Sequence, residues 1–239
     1  MDVHVVVAPV FATNCCVVVA DRRADDGRRD CVVVDPGAGT ADAVSRLVDD
    51  ESLRVQAVLA THGHVDHTWD AAELCARHDA PLRLHARDVY RVSDPFGTIG
   101  LGDGRLGAQA AAVSDALTQA LADFGRTPRE YTAPARVEPF DGDGDLVCGD
   151  VTLRARHAPG HTEGSTLYLL EAEGVVLSGD VLFAGSVGRT DLPGADLEAM
   201  LATLRDVVGR LDPAWQVVPG HGPTTTVGRE LASNPFLPR

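Results

Sequence analysis

Three imidazoles and a carboxylate fall within six residues at His62-Gly63-His64-Val65-Asp66-His67, directly after the apolar run Val55 to Ala60. On an extended backbone residues i and i+2 point the same way, so His62 and His64 can grip one ion from the end of a strand. Asp66 and His67 then turn toward a second. Neutral imidazole and carboxylate suit Zn, Fe, Mn or Co better than the soft ions that thiolates select. A lone histidine is more often an ordinary polar residue, but four ligand-type side chains at this spacing point to metal.

Three later segments repeat one arrangement of strand, glycine and ligand-type residue: Gly160-His161, Gly179-Asp180 and Gly220-His221. Glycine lets the backbone turn sharply and pass close to an ion. Of the other histidines, His157 and His4 lie on strand segments and are expected in core or supporting roles. His78 is read as a polar helix end, and His85 as part of a strand after Leu82 to Leu84.

The elements that must position these residues alternate in two similar halves. Valine-rich runs between turn signals predict strands at Val3 to Val10, Cys15 to Asp21, Cys31 to Asp35 and Val55 to Ala60. Helices are expected over Thr40 to Asp49, with Thr40 as cap, and over Trp69 to His78. The second half repeats the scheme, with strands at Asp145 to Cys148, Val151 to His157, Ser165 to Leu170, Val175 to Ser178 and Trp215 to Val218. A helix over Asp196 to Arg210 carries Leu197, Met200, Leu201, Leu204, Val207 and Val208 as a core-facing stripe. Two mixed β-sheets flanked by helices, a four-layer αβ/βα sandwich of class α/β, is the expected architecture. One domain spanning 1–239 is expected, with a helical, glycine-rich insertion around 93–134. That insertion reads as a surface helix beside a loop, with a lid or dimer face as the alternative.

Composition excludes several classes. The 35 acidic and 21 basic side chains give a formal charge of −14, which repels a nucleic-acid backbone, and the cluster Arg22-Arg23, Arg28-Arg29 is interleaved with aspartates. No apolar stretch approaches the ~20 residues of a membrane span, and Met1-Asp2-Val3-His4 carries an acid where a secretory signal carries basic residues. Five cysteines without a CxxC pair, mostly inside apolar runs, fit small buried hydrophobes in a reducing cytoplasm. The expected partner is a small-molecule substrate, and the expected state a cytoplasmic monomer or homodimer.

Taken together, Asp35, the His62 to His67 cluster, His161, Asp180 and His221 resemble the ordered signatures of metallo-β-lactamase-fold hydrolases, close to the small type II glyoxalase-like (hydroxyacylglutathione hydrolase-like) branch. Gly188 to Leu192 and the tail around Gly228 to Leu237 resemble that branch as well. The resemblance implies that His62, His64 and His161 hold one metal, that Asp66, His67 and His221 hold another, and that Asp180 bridges them. It implies that Asp35 is a buried anchor of the histidine loop. Two divalent ions, zinc with iron or manganese as alternatives, would then present a metal-bound hydroxide to a carbonyl, oriented by Asp66. No G-x-S-x-G elbow competes with this chemistry.

The expected reaction is hydrolysis of a thioester such as S-lactoylglutathione or of a similar acyl ester. The bridging Asp180 and the lack of an export signal weigh against a β-lactam substrate. With 18 residues after His221, the helical domain with which full-length type II glyoxalases hold glutathione is not expected here, nor glutathione recognition of that kind. Arg189 is the candidate partner for a substrate carboxylate, with an ion pair to Asp191 or Asp196 as the alternative. Two other functions compete. One is a mononuclear iron persulfide dioxygenase using a two-His, one-carboxylate site; the other is a noncatalytic metal-binding module.

Overall fold

The computed structural model describes residues 1–99 and 108–237. The glycine-rich stretch Phe96 to Gly104 lies outside these residues from Gly100 onward. In the first half, β1 (Asp2–Val7), β2 (Asn14–Arg23), β3 (Arg29–Val34), β4 (Leu53–Leu59) and β5 (Leu82–Arg83) lie side by side in that order. The first three are antiparallel neighbours, whereas β3, β4 and β5 run parallel. Parallel neighbours need helical crossovers. Those are α1 (Ala41–Asp50) between β3 and β4, then α2 (Val65–Thr68) and α3 (Ala71–His78) between β4 and β5. Two helices follow, α4 (Val89–Ser93) and α5 (Ala108–Asp123).

The second half supplies β6 (Gly144–Cys148), β7 (Val151–His157), β8 (Thr166–Leu170), β9 (Val175–Gly179) and the small hairpin of β10 (Leu182–Phe183) and β11 (Ser186–Val187). It continues with α6 (Leu197–Asp206), β12 (Gln216–Pro219), β13 (Thr225–Thr226) and α7 (Val227–Ser233). The order across this sheet is β13-β12-β9-β8-β7-β6, with β9 and β12 parallel and the other neighbours antiparallel.

The alternation of side chains on β2 shows how the layers stack. Cys15, Val17 and Val19 join α1 and α3 in one core, while Cys16, Val18 and Ala20 face the second sheet and join Leu153, Ala155 and Tyr168 in another. A third core lies beyond the second sheet, where Leu167, Leu169 and Val217 meet Met200, Leu204 and Val227. Strands buried on both faces have no polar side to alternate with, which is why they read as continuous valine runs. The expected αβ/βα sandwich of two mixed sheets between helices is therefore the observed one. All five cysteines are buried and unpaired by disulfides, and burial pushes the Cys31 thiol up to about 12.

Local expectations fail at five places. β1 stops at Val7, because the chain turns through Pro9 to Ala12, with Phe11 and Ala12 in left-handed backbone at φ 57° and 53°. The helix expected from Trp69 to His78 begins two residues later, at Ala71, because Trp69 and Asp70 form the turn that leads from α2 into α3. Thr40 stands at the start of α1 but does not cap it; its hydroxyl donates to the Gly37 carbonyl, and the Asp70 carboxylate accepts the Ala41 N–H at 2.8 Å. His85 lies past β5, where it keeps only an isolated parallel bridge to Phe140 before it opens a short 3-10 turn at Ala86–Asp88 and accepts a hydrogen bond from the Arg87 N–H. On α6, Met200 and Leu204 are buried as expected, but Leu197 and Leu201 are not core residues.

The helix α5 does pack as a surface helix, with Leu117 and Leu121 joining Val65, Trp69 and Ile99 in a small cluster beside the strand ends. Among the described residues no helix is long and apolar enough to cross a membrane. Because Asp70 caps α1 from a distant part of the chain, Asp70→Ala is expected to cost about 1–2 kcal/mol. A lowered denaturant midpoint at unchanged m-value would register that loss.

Candidate metal centre

Every ligand-type residue singled out in the sequence sits at the C-terminal end of a strand on one edge of the sandwich. After β4 the chain turns through Thr61, His62 and Gly63; His64 stands at the start of α2, and Asp66 and His67 occupy its single turn. His161 follows β7, Asp180 follows β9 and His221 follows β12. Three sets of ligand atoms come within 4.8 Å of one another: His62, His64 and His161; His62, His67 and Asp180; Asp66, His67 and His221. A cluster of this composition is able to bind metal ions.

The tautomers follow from what lies behind each ring. The Thr61 hydroxyl donates to the Asp35 carboxylate, so its oxygen accepts from Nδ1–H of His62 at 3.1 Å. Nδ1–H of His67 donates to Asp35 at 3.0 Å, that of His161 to the Arg189 carbonyl at 2.9 Å, and that of His221 to the Phe11 carbonyl at 2.9 Å. In the neutral form of all four rings Nε2 is therefore the atom that carries the lone pair, and all four turn Nε2 inward. Nδ1 of His64 stands 3.1 Å from Nε2 of His62 and 3.0 Å from Nε2 of His161, and the Nε2 atoms of His67 and His221 are 3.1 Å apart. Nitrogens facing one another at such distances need a proton or a metal ion between them, because bare lone pairs repel. Asp180 Oδ1 points into the same space, buried and without a hydrogen-bond donor. This donor set fits divalent metal, and orienting acceptors behind each imidazole are the usual means of fixing metal-binding histidines.

Charge follows the same pattern. Burial pushes His62 and His64 well below the usual histidine range, which keeps them neutral and able to ligate. Burial also opposes ionisation of Asp66 and Asp180, but the neighbouring His67 and His221 override it and hold both carboxyls below their usual range, Asp180 at about 2. His67 moves up, because Asp180, Asp35 and Asp66 outweigh its burial.

Two further groups hold the frame. Asp35, in left-handed backbone at φ 54°, is 2% exposed and accepts from the Thr61 N–H at 2.7 Å in addition to the two side chains above. Asp88 was not singled out by its sequence context, which is an ordinary helix approach. It is fully buried and accepts from the Gly63 N–H, the Thr162 hydroxyl and the Gly164 N–H at 2.7–2.9 Å, joining the His62 to His67 loop to the His161 loop. Arg91, also fully buried, lies 3.4 Å from Asp88 and reaches on to Glu163 and the Pro193 carbonyl. His157 stays outside the cluster, stacked on His85 with ring centres 4.1 Å apart, and His4 lies near Glu51.

The glycine of each motif makes room for these contacts. A Cβ on Gly63 would lie 2.8 Å from the Asp88 carbonyl and from Arg91 Cβ, and one on Gly220 would lie 2.2 Å from Asp180 Oδ1.

A model of the metallo-β-lactamase superfamily matches residues 8–221. The chain belongs to that superfamily. It is 36% identical to an uncharacterised Mycobacterium leprae protein over 93% of this chain and 92% of that one. A probable metallo-hydrolase of Bacillus subtilis, YqgX, is 31% identical over 87% of both chains. The Haemophilus influenzae hydroxyacylglutathione hydrolase GloC is 28% identical over 99% of this chain and 98% of its own. Among solved structures, the B3 metallo-β-lactamase BLEG-1 superposes with a TM-score of 0.76 at 29% identity, covering 100% of both chains. TTHA1623, in a di-iron-bound form, gives 0.67 at 30% identity over 94% of this chain and 96% of that one. ETHE1 from Myxococcus xanthus gives 0.70 at 20% identity over 98% and 84%, a likeness of fold.

Beside the cluster, His64, Asp66, His161 and Asp180 open onto a pocket walled by Phe11, Val65, Ile99, Val113, Leu117 and Leu192. Arg189 stands at its rim. Its guanidinium makes a bidentate pair with Asp191 at 2.6 and 2.9 Å, and its carbonyl holds His161. Since a Cβ at position 63 meets backbone, Gly63→Ala is expected to cost about 1–3 kcal/mol through overpacking and to lower the metal bound per chain. Gly144, whose Cβ would meet nothing within 4 Å, is the control, and Gly144→Ala should change neither melting temperature nor metal content.

Proposed function

We propose that this chain is a metal-dependent hydrolase that cleaves a thioester or a related ester. The observation that carries the proposal is the convergence of the imidazole lone pairs and two ionised carboxylates, with four of the rings held from behind in the ligating tautomer. His62, His64 and His161 would hold one ion, and Asp66, His67 and His221 a second. Asp180 would bridge them, its oxygens lying 3.3 Å from His67 Nε2 and 3.6 Å from the Nε2 atoms of His161 and His221. Divalent ions bound there supply a water acidified to near neutral pH and a Lewis acid for the carbonyl.

The chain's own residues do the rest. Asp66, kept ionised by His67 and His221, has an oxygen 3.3 Å from His221 Nε2 and is placed to accept a hydrogen bond from the attacking water and orient it. Water oxygen bonds to the carbonyl carbon, the C–S or C–O bond breaks, and the departing thiolate or alkoxide takes up the water's proton, giving acid and thiol or alcohol. The apolar wall beside the cluster excludes bulk water from the reacting carbonyl. Similarity along nearly the full length of a protein named hydroxyacylglutathione hydrolase supports the thioester, and similarity to a protein with a di-iron-bound form supports two ions and puts iron beside zinc. Arg189 is proposed to contact substrate at the rim by exchanging Asp191 for a substrate carboxylate.

One observation favours a second reading. Asp66, His67 and His221 alone make a two-His, one-carboxylate set, the arrangement that suits a single iron and oxygen chemistry. Metal analysis of anaerobically purified protein separates the two, with two ions per chain expected. Hydrolysis of S-lactoylglutathione and a panel of acyl thioesters is expected with both ions bound, and a β-lactam such as nitrocefin serves as the control for likeness to BLEG-1. One iron per chain, oxygen uptake with glutathione persulfide and no hydrolysis would replace the proposal with the second reading. Asp66→Asn is expected to lower kcat by about 10²- to 10⁴-fold. Unchanged activity and metal content in that variant would remove Asp66 from the mechanism.

A further inference from the structure

The apolar stripe of α6 is only half used by the core. Leu197 and Leu201, one turn apart, are 58% and 46% exposed, and Phe236, after α7, is 53% exposed. Together with Val187, Met200 and Leu204 they line a cavity of about 310 Å³. Clustered exposed apolar side chains of this size mark binding surfaces, and the volume reaches the range of ligand pockets, roughly 300–1,000 Å³. Among the described residues Arg189 is the one charged residue on its wall, and the guanidinium is drawn aside by Asp191.

This cavity is built on the segments that position a residue of the metal cluster. Arg189 borders both the cavity and the pocket beside the cluster, and its carbonyl accepts from His161. α6 is bonded to the His161 turn at its start, where the Asp196 N–H donates to the Gly160 carbonyl at 2.8 Å, and further along, where the Thr203 hydroxyl donates to the Pro159 carbonyl at 2.7 Å. Arg189 is thus the residue that the two spaces share, and the rest of the cavity's wall is apolar apart from Gly188 and Thr190.

We propose that the cavity receives the apolar chain of the substrate's acyl group, so that the preferred substrates are thioesters of extended, unbranched acids rather than of small hydroxy acids. The proposal rests on the hydrolase reading above. The carbonyl would sit at the cluster and the chain would cross the Arg189 backbone to lie against Leu197, Leu201 and Phe236.

A series of straight-chain acyl thioesters of one thiol, from two to twelve carbons, tests it on the metal-loaded protein. Each methylene that enters the cavity is expected to raise kcat/KM up to about fourfold, the equivalent of ~0.8 kcal/mol per buried CH₂. Leu201→Glu, at an exposed position outside the cluster, is expected to cut kcat/KM for the ten-carbon substrate by about tenfold or more while leaving the two-carbon substrate within about twofold. Calorimetric titration of the metal-free protein with dodecanoate gives a readout independent of turnover, and binding should be lost in Leu201→Glu. A flat chain-length profile with active hydrolysis would overturn the proposal. So would a long-chain preference that Leu201→Glu leaves intact, or a wild-type dimer that Leu201→Glu splits without altering the profile, which would assign the cavity to a second copy. Absence of hydrolysis for every chain length with both ions bound would instead overturn the hydrolase reading, and dodecanoate binding would then stand or fall on its own.

Discussion

Inward-facing imidazole nitrogens, held about 3 Å apart, are the constraint on which the rest of the molecule depends. Left to themselves such rings would rotate to hydrogen-bond with water or with each other. They do not, because Thr61, Asp35 and the carbonyls of Arg189 and Phe11 each hold a Nδ1–H from behind. Each of those acceptors is in turn fixed by backbone at a strand end or a turn. Stiffness in the sheets is thus converted into orientation of the rings.

The two sheets contribute unequally. The first delivers His62, His64, Asp66 and His67 from a single crossover after β4, and Asp35 from the neighbouring strand end. The second delivers one residue from each of three strand ends. The halves meet through Asp88, whose carboxylate takes N–H or O–H donors from both loops. Its burial beside Arg91 makes the joint rigid, because removing either partner would strand a charge in the interior.

Much of this was legible in the sequence, for a physical reason. Metal ligands crowd into short spacings and flank glycines, so the residues of the cluster announce themselves locally, and strands buried on both faces announce themselves as valine runs. What escaped was long-range. Asp70 looks like one more polar residue inside a helix, and nothing near it tells that α1 needs its carboxylate. Asp88 and Arg91 have unremarkable neighbours, and their roles arise from loops that meet them only after folding. The α6 stripe misled because periodicity reports which residues share a face and not whether anything covers it; Met200 and Leu204 are covered, Leu197 and Leu201 are not. Thr40 misled in the opposite sense, since a residue type suited to capping spent its hydroxyl on Gly37.

The turn between β1 and β2 carries a consequence for how the molecule is made. Phe11, in left-handed backbone, holds His221 from 210 residues away, and the Asn14 side chain donates to the carbonyls of Pro219 and Gly222 on either side of that histidine. A chain emerging from the ribosome therefore presents His62, His64, Asp66 and His67 well before it can complete the cluster, which waits for β12 and His221. Closure joins the first hairpin to the last long strand, the slowest kind of contact to form, because it closes the longest loop. An ion captured during synthesis would meet a half-built site, and occupancy of the Asp66, His67, His221 set would report completion of the fold rather than metal supply alone.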